Sequence, residues 1–249
     1  MNQTNIVNKL EDLNLKGFKQ GYTRQIEDPN YLSLSFEERL FALLQSEDTF
    51  QTNKRIETNL RLSKIKNKQA LLEDLDYDPR RQINKSQILS LASMDFLRSK
   101  QNIIINGKTG TGKSYLAQAF AIRAIQDGFN AYYIRTATLL EDMKISRLDG
   151  SYTNLIKKFS RYKLLIIDDF GISPISVDDA ANLFEIIETR SEFFSTIITS
   201  QLPVKDWYGF LQNNTIADAT LDRIVNSSHR IELEGDSLRP KYSKVYKNY

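Results

Sequence analysis

A chain of 249 residues can bury a sizeable core, either as one large domain or as a small domain beside a medium one. It has no cysteine, which excludes disulfides and thiolate metal sites and suits a reducing compartment, and a single histidine, His229, argues against a histidine metal site or a Ser-His pair. A net charge of +3 is low for a protein that coats nucleic acid by charge alone. The first ten residues carry Asn2, Asn5, Asn8 and Lys9 and do not read as a signal peptide. No uninterrupted apolar run is long enough for a membrane span, so the expected location is cytoplasmic.

The amino-terminal part reads as helical. Ile6, Leu10 and Leu13 share one helical stripe. Ser35 and Glu38 have the spacing of a capping box ahead of Leu40, Leu43 and Leu44, and the helix is expected to run on past Leu60. Residues 71–78 are acidic, end at Pro79 and read as an interdomain linker. The expected domains are therefore a small all-α domain, 1–75, and an α/β core, 76–249.

Beyond residue 83, helix and strand patterns alternate. Helices are predicted at 86–97, 113–125, 139–145, 153–159, 178–193 and 216–225, and strands at 103–105, 131–134, 164–167, 196–199 and 230–233. The run 164–167 is wholly apolar, as buried parallel strands are. This alternation implies right-handed crossovers and a parallel sheet flanked by helices.

The stretch Gly107, Lys108, Thr109, Gly110, Thr111, Gly112, Lys113, Ser114 matches G-x-x-x-x-G-K-[ST] between a predicted strand and a predicted helix. Its glycines let the backbone curl and point N–H groups at phosphate oxygens, and the helix start that follows is positive. Lys113 then reaches the β and γ phosphates, and the Ser114 hydroxyl suits magnesium, a hard cation that takes oxygen ligands. These residues, with Tyr115 next on the helix, form the expected ATP-binding set.

The apolar strand at 164–167 ends in Asp168 and Asp169. Beside a phosphate loop, the first carboxylate is expected to hold magnesium, through water, and the second to orient and deprotonate the attacking water. The alternative is that the pair caps the following turn. A strand at 131–134 lies between the two motifs in the chain, so the sheet can insert a strand between the loop strand and the acidic strand. That arrangement favours ATPases over simple nucleotide kinases.

Ser200 and Gln201 close a later strand, where one of them can sense the γ-phosphate or hold the water, or both simply satisfy the strand end. Arg223 is either an arginine finger for a neighbouring subunit or a surface ion-pair residue partnered by Asp218 or Asp222. Arg239 is a candidate phosphate contact in cis, and His229 reads as structural. Two basic clusters stand out, one holding Lys54, Arg55, Arg61, Lys64, Lys66 and Lys68 and the other Lys144, Arg147, Lys157, Lys158, Arg161 and Lys163. Each is either a solvated helix face or a contact to DNA phosphates.

Taken together, 102–114, 164–171, the run Ser195 to Pro203 with Trp207 after it, 217–225 and 235–239 resemble the IstB-like ATPases. These are helper proteins encoded beside the transposase in one group of bacterial insertion sequences, related to the DnaC helicase loaders and the DnaA initiator within the AAA+ superfamily. The phosphate loop is unspecific, and the segment from Ser195 through Trp207 with the late arginines picks out the family. The resemblance implies a helical amino-terminal domain joined to an AAA+ core without the usual carboxy-terminal lid, for which the chain beyond Arg239 is too short. It also implies ATP-dependent homo-oligomers, ring or spiral, on duplex DNA, and recruitment or activation of a partner transposase.

On the same resemblance the helix holding Lys157, Lys158 and Arg161 faces DNA, with Lys54, Arg55, Arg61 and Lys64 as the second set; these phosphate contacts would position without reading sequence. The tail containing Lys241, Lys244 and Lys247 either binds DNA or transposase or is a frayed terminus. Two departures stand out. Gln201 replaces a frequent asparagine, and Asp169 stands where many AAA+ proteins have glutamate, which favours slow or partner-stimulated hydrolysis. The competing readings are a DnaC-like helicase loader acting on single strands, and an ATP-gated switch that hardly turns over.

Overall fold

The computed structural model describes residues 3–239. The chain divides into two compact units, Met1–Thr58 and Asn59–Tyr249. The domain boundary expected after residue 75 falls later in the chain than this division.

The first unit is helical, with α1 (Gln3–Asp12), α2 (Lys16–Glu27) and α3 (Phe36–Leu62), which runs on into the second unit. The Ser35 capping box forms: Glu38 N donates to Ser35 Oγ at 3.2 Å, and Ser35 N donates to Glu38 Oε2 at 2.8 Å. Helix α2 was not expected, because Gly17 and Gly21 weaken its helical signal. Packing explains both glycines. A Cβ on Gly17 would sit 2.4 Å from the Ser46 carbonyl oxygen of α3, so glycine is what lets the two helices approach.

The second unit begins as α3 ends. After residues 63–81 come α4 (Lys85–Leu91) and α5 (Asp95–Arg98), then β1 (Asn102–Gly107), α6 (Lys113–Gln126), β2 (Ala131–Arg135), α7 (Thr136–Leu148), α8 (Tyr152–Phe159) and β3 (Leu164–Phe170). These are followed by α9 (Val177–Ser191), β4 (Ser195–Ser200), α10 (Trp207–Phe210), α11 (Asn214–Val225) and β5 (Ser228–Leu233). The helix expected over 86–97 is two helices. Met94, fully buried, takes a left-handed conformation (φ 60°) and breaks it. Residues 71–78 are not a free linker either, because Leu72 and Leu75 are buried.

The five strands form one parallel sheet in the order β2-β3-β4-β1-β5. The sheet thus does insert a strand between the loop strand and the acidic strand; it is β4, while β2 lies at the edge. The centre of the sheet is apolar on both faces, with Ile103, Ile104, Ile105, Leu164 to Ile167, Ile197 and Ile198 all buried. Helix α6 is buried along most of its length. This is the AAA+ core fold that the resemblance implied. The expected absence of a carboxy-terminal lid concerns residues after 239, and the basic tail at 241–247 also lies outside the described residues.

One buried charge holds the far side of the sheet. Arg190 of α9 is 1% exposed and donates to the carbonyls of Phe159, Tyr162 (2.9 Å) and Ser195 (2.6 Å) and to Thr196 Oγ1 (3.3 Å). It thereby satisfies the open carboxyl end of α8 and the start of β4. Burial without a carboxylate partner pushes its pKa down to about 9. Arg190→Met keeps the volume but strands these acceptors, so a loss of about 2–3 kcal/mol is expected in denaturant unfolding. An unchanged midpoint would remove this role.

Candidate active site

The phosphate loop connects β1 to α6. Gly110 adopts φ 84° and lies against Ser237, where a Cβ would come within 2.1 Å of the Ser237 hydroxyl. Its carbonyl accepts from Leu238 N at 2.9 Å, which ties the 235–239 segment to the loop. Lys113 is buried and bridges the loop from within, its Nζ 2.8 Å from both the Gly107 and Lys108 carbonyls. Burial lowers its pKa, while Asp169 and Asp168 favour its charged form.

Ser114, one residue on, donates to Asp168 Oδ1 at 2.9 Å. Asp168, 1% exposed, also accepts from the Tyr133 and Thr199 hydroxyls, and its carbonyl accepts from Thr136 Oγ1 at 3.0 Å. Burial and the Asp168 contact raise the Tyr133 pKa, so the phenol stays a donor. Three hydroxyls thus fix one carboxylate. The juxtaposed oxygens of Ser114 and Asp168 are the hard donors that a magnesium ion prefers, so this pair fits the cation implied by the sequence.

Asp169 leaves the sheet differently. The β3–β4 ladder slips between Ile167 and Phe170, and Asp169 takes φ 61° with its N–H on Thr199 Oγ1 at 3.1 Å. A left-handed aspartate at a ladder irregularity is strained backbone, held by its surroundings. Burial first, then repulsion by Asp168, raises its pKa; Arg135, Lys113 and Lys66 oppose this. Arg135 Nε lies 3.6 Å from Asp169 Oδ2.

These groups open on one cavity of about 600 Å³. Its phosphate side is formed by Thr109, Gly110, Gly112, Lys113, Ser114, Asp169 and Gln201, and its other walls by Asn67, Asp74 to Asp76, Arg81, Tyr115, Leu238 and Arg239. Gln201 reaches the loop, with Thr109 Oγ1 2.5 Å from Gln201 Oε1. Ser200 does not face the cavity. Its hydroxyl is taken up by the Phe170 and Leu202 backbone at 2.8–3.0 Å. Of the two strand-end candidates, only Gln201 is placed to meet a nucleotide.

The remaining candidates lie elsewhere. Arg223 on α11 does not line this cavity; it pairs with Glu188 at 2.7 Å and Asp222 at 2.9 Å. Lys157, Lys158 and Arg161 line a separate cavity of about 470 Å³ together with Asn59, Asn130 and Asn154. Lys54, Arg55, Arg61 and Lys64 are exposed. His229 pairs with Gln101 at 2.9 Å beside β1, a structural contact.

Sequence reasoning missed Tyr133, Arg135, Thr199 and Arg81. Arg135 and Thr199 sit at carboxyl ends of strands and Tyr133 in the middle of β2, which is a signal only once the strand order is known. Arg81 donates to the Thr111 carbonyl at 2.7 Å and to the Asp76 carbonyl at 2.7 Å, stitching the 76–81 turn to the phosphate loop.

A family profile described as IstB-like ATP binding protein matches residues 8–245. A putative insertion sequence ATP-binding protein of Sinorhizobium fredii is 36% identical over 94% of this chain and 95% of its own length. The putative ATP-binding protein of insertion sequence IS232 from Bacillus thuringiensis subsp. berliner is 30% identical over 95% and 94%. Among solved structures, the DnaC helicase loader superposes with a TM-score of 0.56 at 21% identity, covering 68% of this chain and 99% of that one, a likeness of fold. No helix among the described residues is long and apolar enough to cross a membrane.

Proposed function

This chain belongs to the family of IstB-like ATP binding proteins, and on that premise we propose that it is a magnesium-dependent ATPase that assembles on duplex DNA and recruits or stimulates a partner transposase. The observation that carries the ATPase reading is the convergence of Lys113, Ser114 and Asp169 on one cavity, with buried Asp168 bonded to Ser114 behind its wall.

Lys113 and the loop N–H groups bind the β and γ phosphates. Ser114 and Asp168 would hold magnesium, which supplies charge neutralisation at those phosphates when bound. Asp169 orients the attacking water and takes its proton. Gln201 meets the terminal phosphate or that water, and Tyr115 and Arg239 border the nucleotide. Arg223, which does not line its own cavity, acts as a finger toward a neighbour's nucleotide in a head-to-tail assembly that closes to a ring or climbs as a spiral. The unit Met1–Thr58 serves as the DNA- or partner-binding module and the unit Asn59–Tyr249 as the motor. Lys157, Lys158 and Arg161 engage DNA phosphates first, with Lys54, Arg55, Arg61 and Lys64 as the second set.

The test is ATP hydrolysis by the purified protein without DNA, with single strands and with duplex, alongside assembly size. Stimulation and assembly on duplex are expected, and Arg223→Ala should bind ATP yet assemble or hydrolyse poorly, by about 10³ if it is the finger. Wild-type behaviour of that variant would leave the arginine as an ion-pair residue only. A response confined to single strands would favour the second reading, a helicase loader, which the fold likeness to DnaC supports.

A further inference from the structure

The phosphate loop and the helix after it are braced by chain that precedes β1 and chain that follows β5. Residues 63–75 come first, directly after α3. The carbonyl of Ser63, a fully buried residue, accepts from Tyr133 N of β2 at 2.7 Å. The amides of Lys66 and Asn67 both donate to Gln118 Oε1, at 3.0 and 2.9 Å, and the Leu71 amide and carbonyl meet the Tyr115 hydroxyl at 3.2 and 3.3 Å. These bonds grip α6 rather than the loop.

The next stretch reaches the loop through one side chain. Arg81 is 7% exposed, and its two terminal nitrogens donate to the Thr111 and Asp76 carbonyls, each at 2.7 Å. Its own carbonyl accepts from Glu234 N at 3.1 Å, and Gln82 Nε2 donates to Glu234 Oε2 at 3.0 Å. The chain after Glu234 then returns to the loop, where Leu238 N donates to the Gly110 carbonyl at 2.9 Å. The bonds close a ring of turn, carboxy-terminal segment and phosphate loop, with Arg81 at one corner. The fit at that corner is tight, because a Cβ on Gly112 would lie 3.2 Å from Arg81 Nη2. Arg81 and Gly112 both line the nucleotide cavity.

Peptide geometry says what the arginine fixes. The Thr111 carbonyl and the Gly112 N–H belong to one planar trans unit, so they point in opposite directions. Thr111 is fully buried, so its carbonyl needs a donor, and Arg81 supplies it. A carbonyl held on the Arg81 side turns the N–H to the other side. Gly112, at φ 97°, is the residue just before α6, where backbone N–H groups meet phosphates.

We propose that Arg81 is a positioning residue for nucleotide binding, which orients the Thr111–Gly112 peptide so that the Gly112 N–H faces the phosphates. The inference rests on the ATPase reading above. Loop N–H groups of this kind serve phosphates that ATP and ADP share, in the ground state and the transition state alike. Loss of the orientation therefore costs affinity and not turnover.

The test measures affinity of the full chain, with magnesium, for a non-hydrolysable ATP analogue and for ADP, beside steady-state hydrolysis and the unfolding midpoint without nucleotide. Arg81→Met is expected to weaken both nucleotides about tenfold, as for one hydrogen bond to a charged group, and to raise KM by a similar factor with kcat little changed. Arg81→Lys keeps a donor for one of the two carbonyls and should recover part of the loss. If Arg81→Met does not fold, Arg81→Lys carries the same test, and its affinity must still fall for both nucleotides. Arg190→Met is the comparison for a buried arginine that serves structure alone: it should lower the midpoint and leave the affinity of the folded protein intact. Unchanged affinity on substitution of Arg81, a loss confined to one nucleotide, a fall in kcat in place of the rise in KM, or the same affinity loss in Arg190→Met would overturn the proposal. Lys113→Ala separates the two levels: if it binds both nucleotides normally, the ATPase reading itself fails, whereas its loss of both beside an indifferent Arg81→Met removes only the role of Arg81.

Discussion

Lys113→Ala is expected to weaken nucleotide binding by about 3–5 kcal/mol, a factor of about 10² to several times 10³, as removal of one partner from a buried charge contact does. The size of the effect follows from where the ammonium sits. It is buried inside the loop with both Gly107 and Lys108 carbonyls at 2.8 Å, so its attraction for phosphate is little screened and its position is set before the ligand arrives. Burial disfavours the charge, and the neighbouring carboxylates Asp168 and Asp169 maintain it. The variant removes a desolvated cation that was held mainly for the ligand, so unfolding stability should change much less than affinity. Calorimetric titration with ATP reads the result directly, and wild-type affinity would sink the assignment of the site.

Asp169→Asn is expected to bind ATP at least as tightly as the natural chain and to lose about 10³ in turnover, the range spanned by a missing general base. Asparagine suits the position because it tolerates the left-handed backbone that Asp169 adopts. Loss of activity would therefore not come from misfolding. It also removes a negative charge beside the phosphates and relieves repulsion with Asp168. The sign of the pH effect is fixed by the same geometry. Burial and Asp168 raise the carboxyl's pKa, so the fold favours its neutral form; this group costs stability as pH rises through its ordinary value, and turnover that needs the carboxylate falls, on acidification, at a higher pH than an exposed aspartate would give. Single-turnover measurements across pH in both proteins check this, and preserved hydrolysis by the asparagine variant would refute the role.

The strands and the phosphate loop were legible because their signals are local. Runs such as Ile103 to Ile105 and Leu164 to Ile167 are apolar on both faces, and the loop's glycines and lysine stand at fixed spacing. What stayed hidden was set by distant contacts. Gly17 reads as a helix breaker until Ser46 is found against it, and Met94 reads as helix interior until its backbone proves left-handed. The hydroxyls that fix Asp168 come from β2, α6 and β4, and only the order β2-β3-β4-β1-β5 places those strands beside the carboxylate. Ser200 and Gln201 are adjacent and similar in chemistry, so which one faces the cavity depends on the pleat and could not be read from composition.

The bond from Tyr133 to Ser63 has a consequence for how the chain can be divided. β2 is an outer strand, and an uncovered outer strand offers its free N–H groups to any other extended chain, a common start of aggregation. The stretch after α3 lies along that margin and occupies one of those donors, while Asn59 Nδ2 caps the Phe129 carbonyl just before the strand begins. A motor fragment trimmed to start at residue 76 would lose this cover together with the partners of Gln118 and Tyr115. One that starts at Asn59 keeps all of them, and it is the shorter chain, not the longer, that should precipitate.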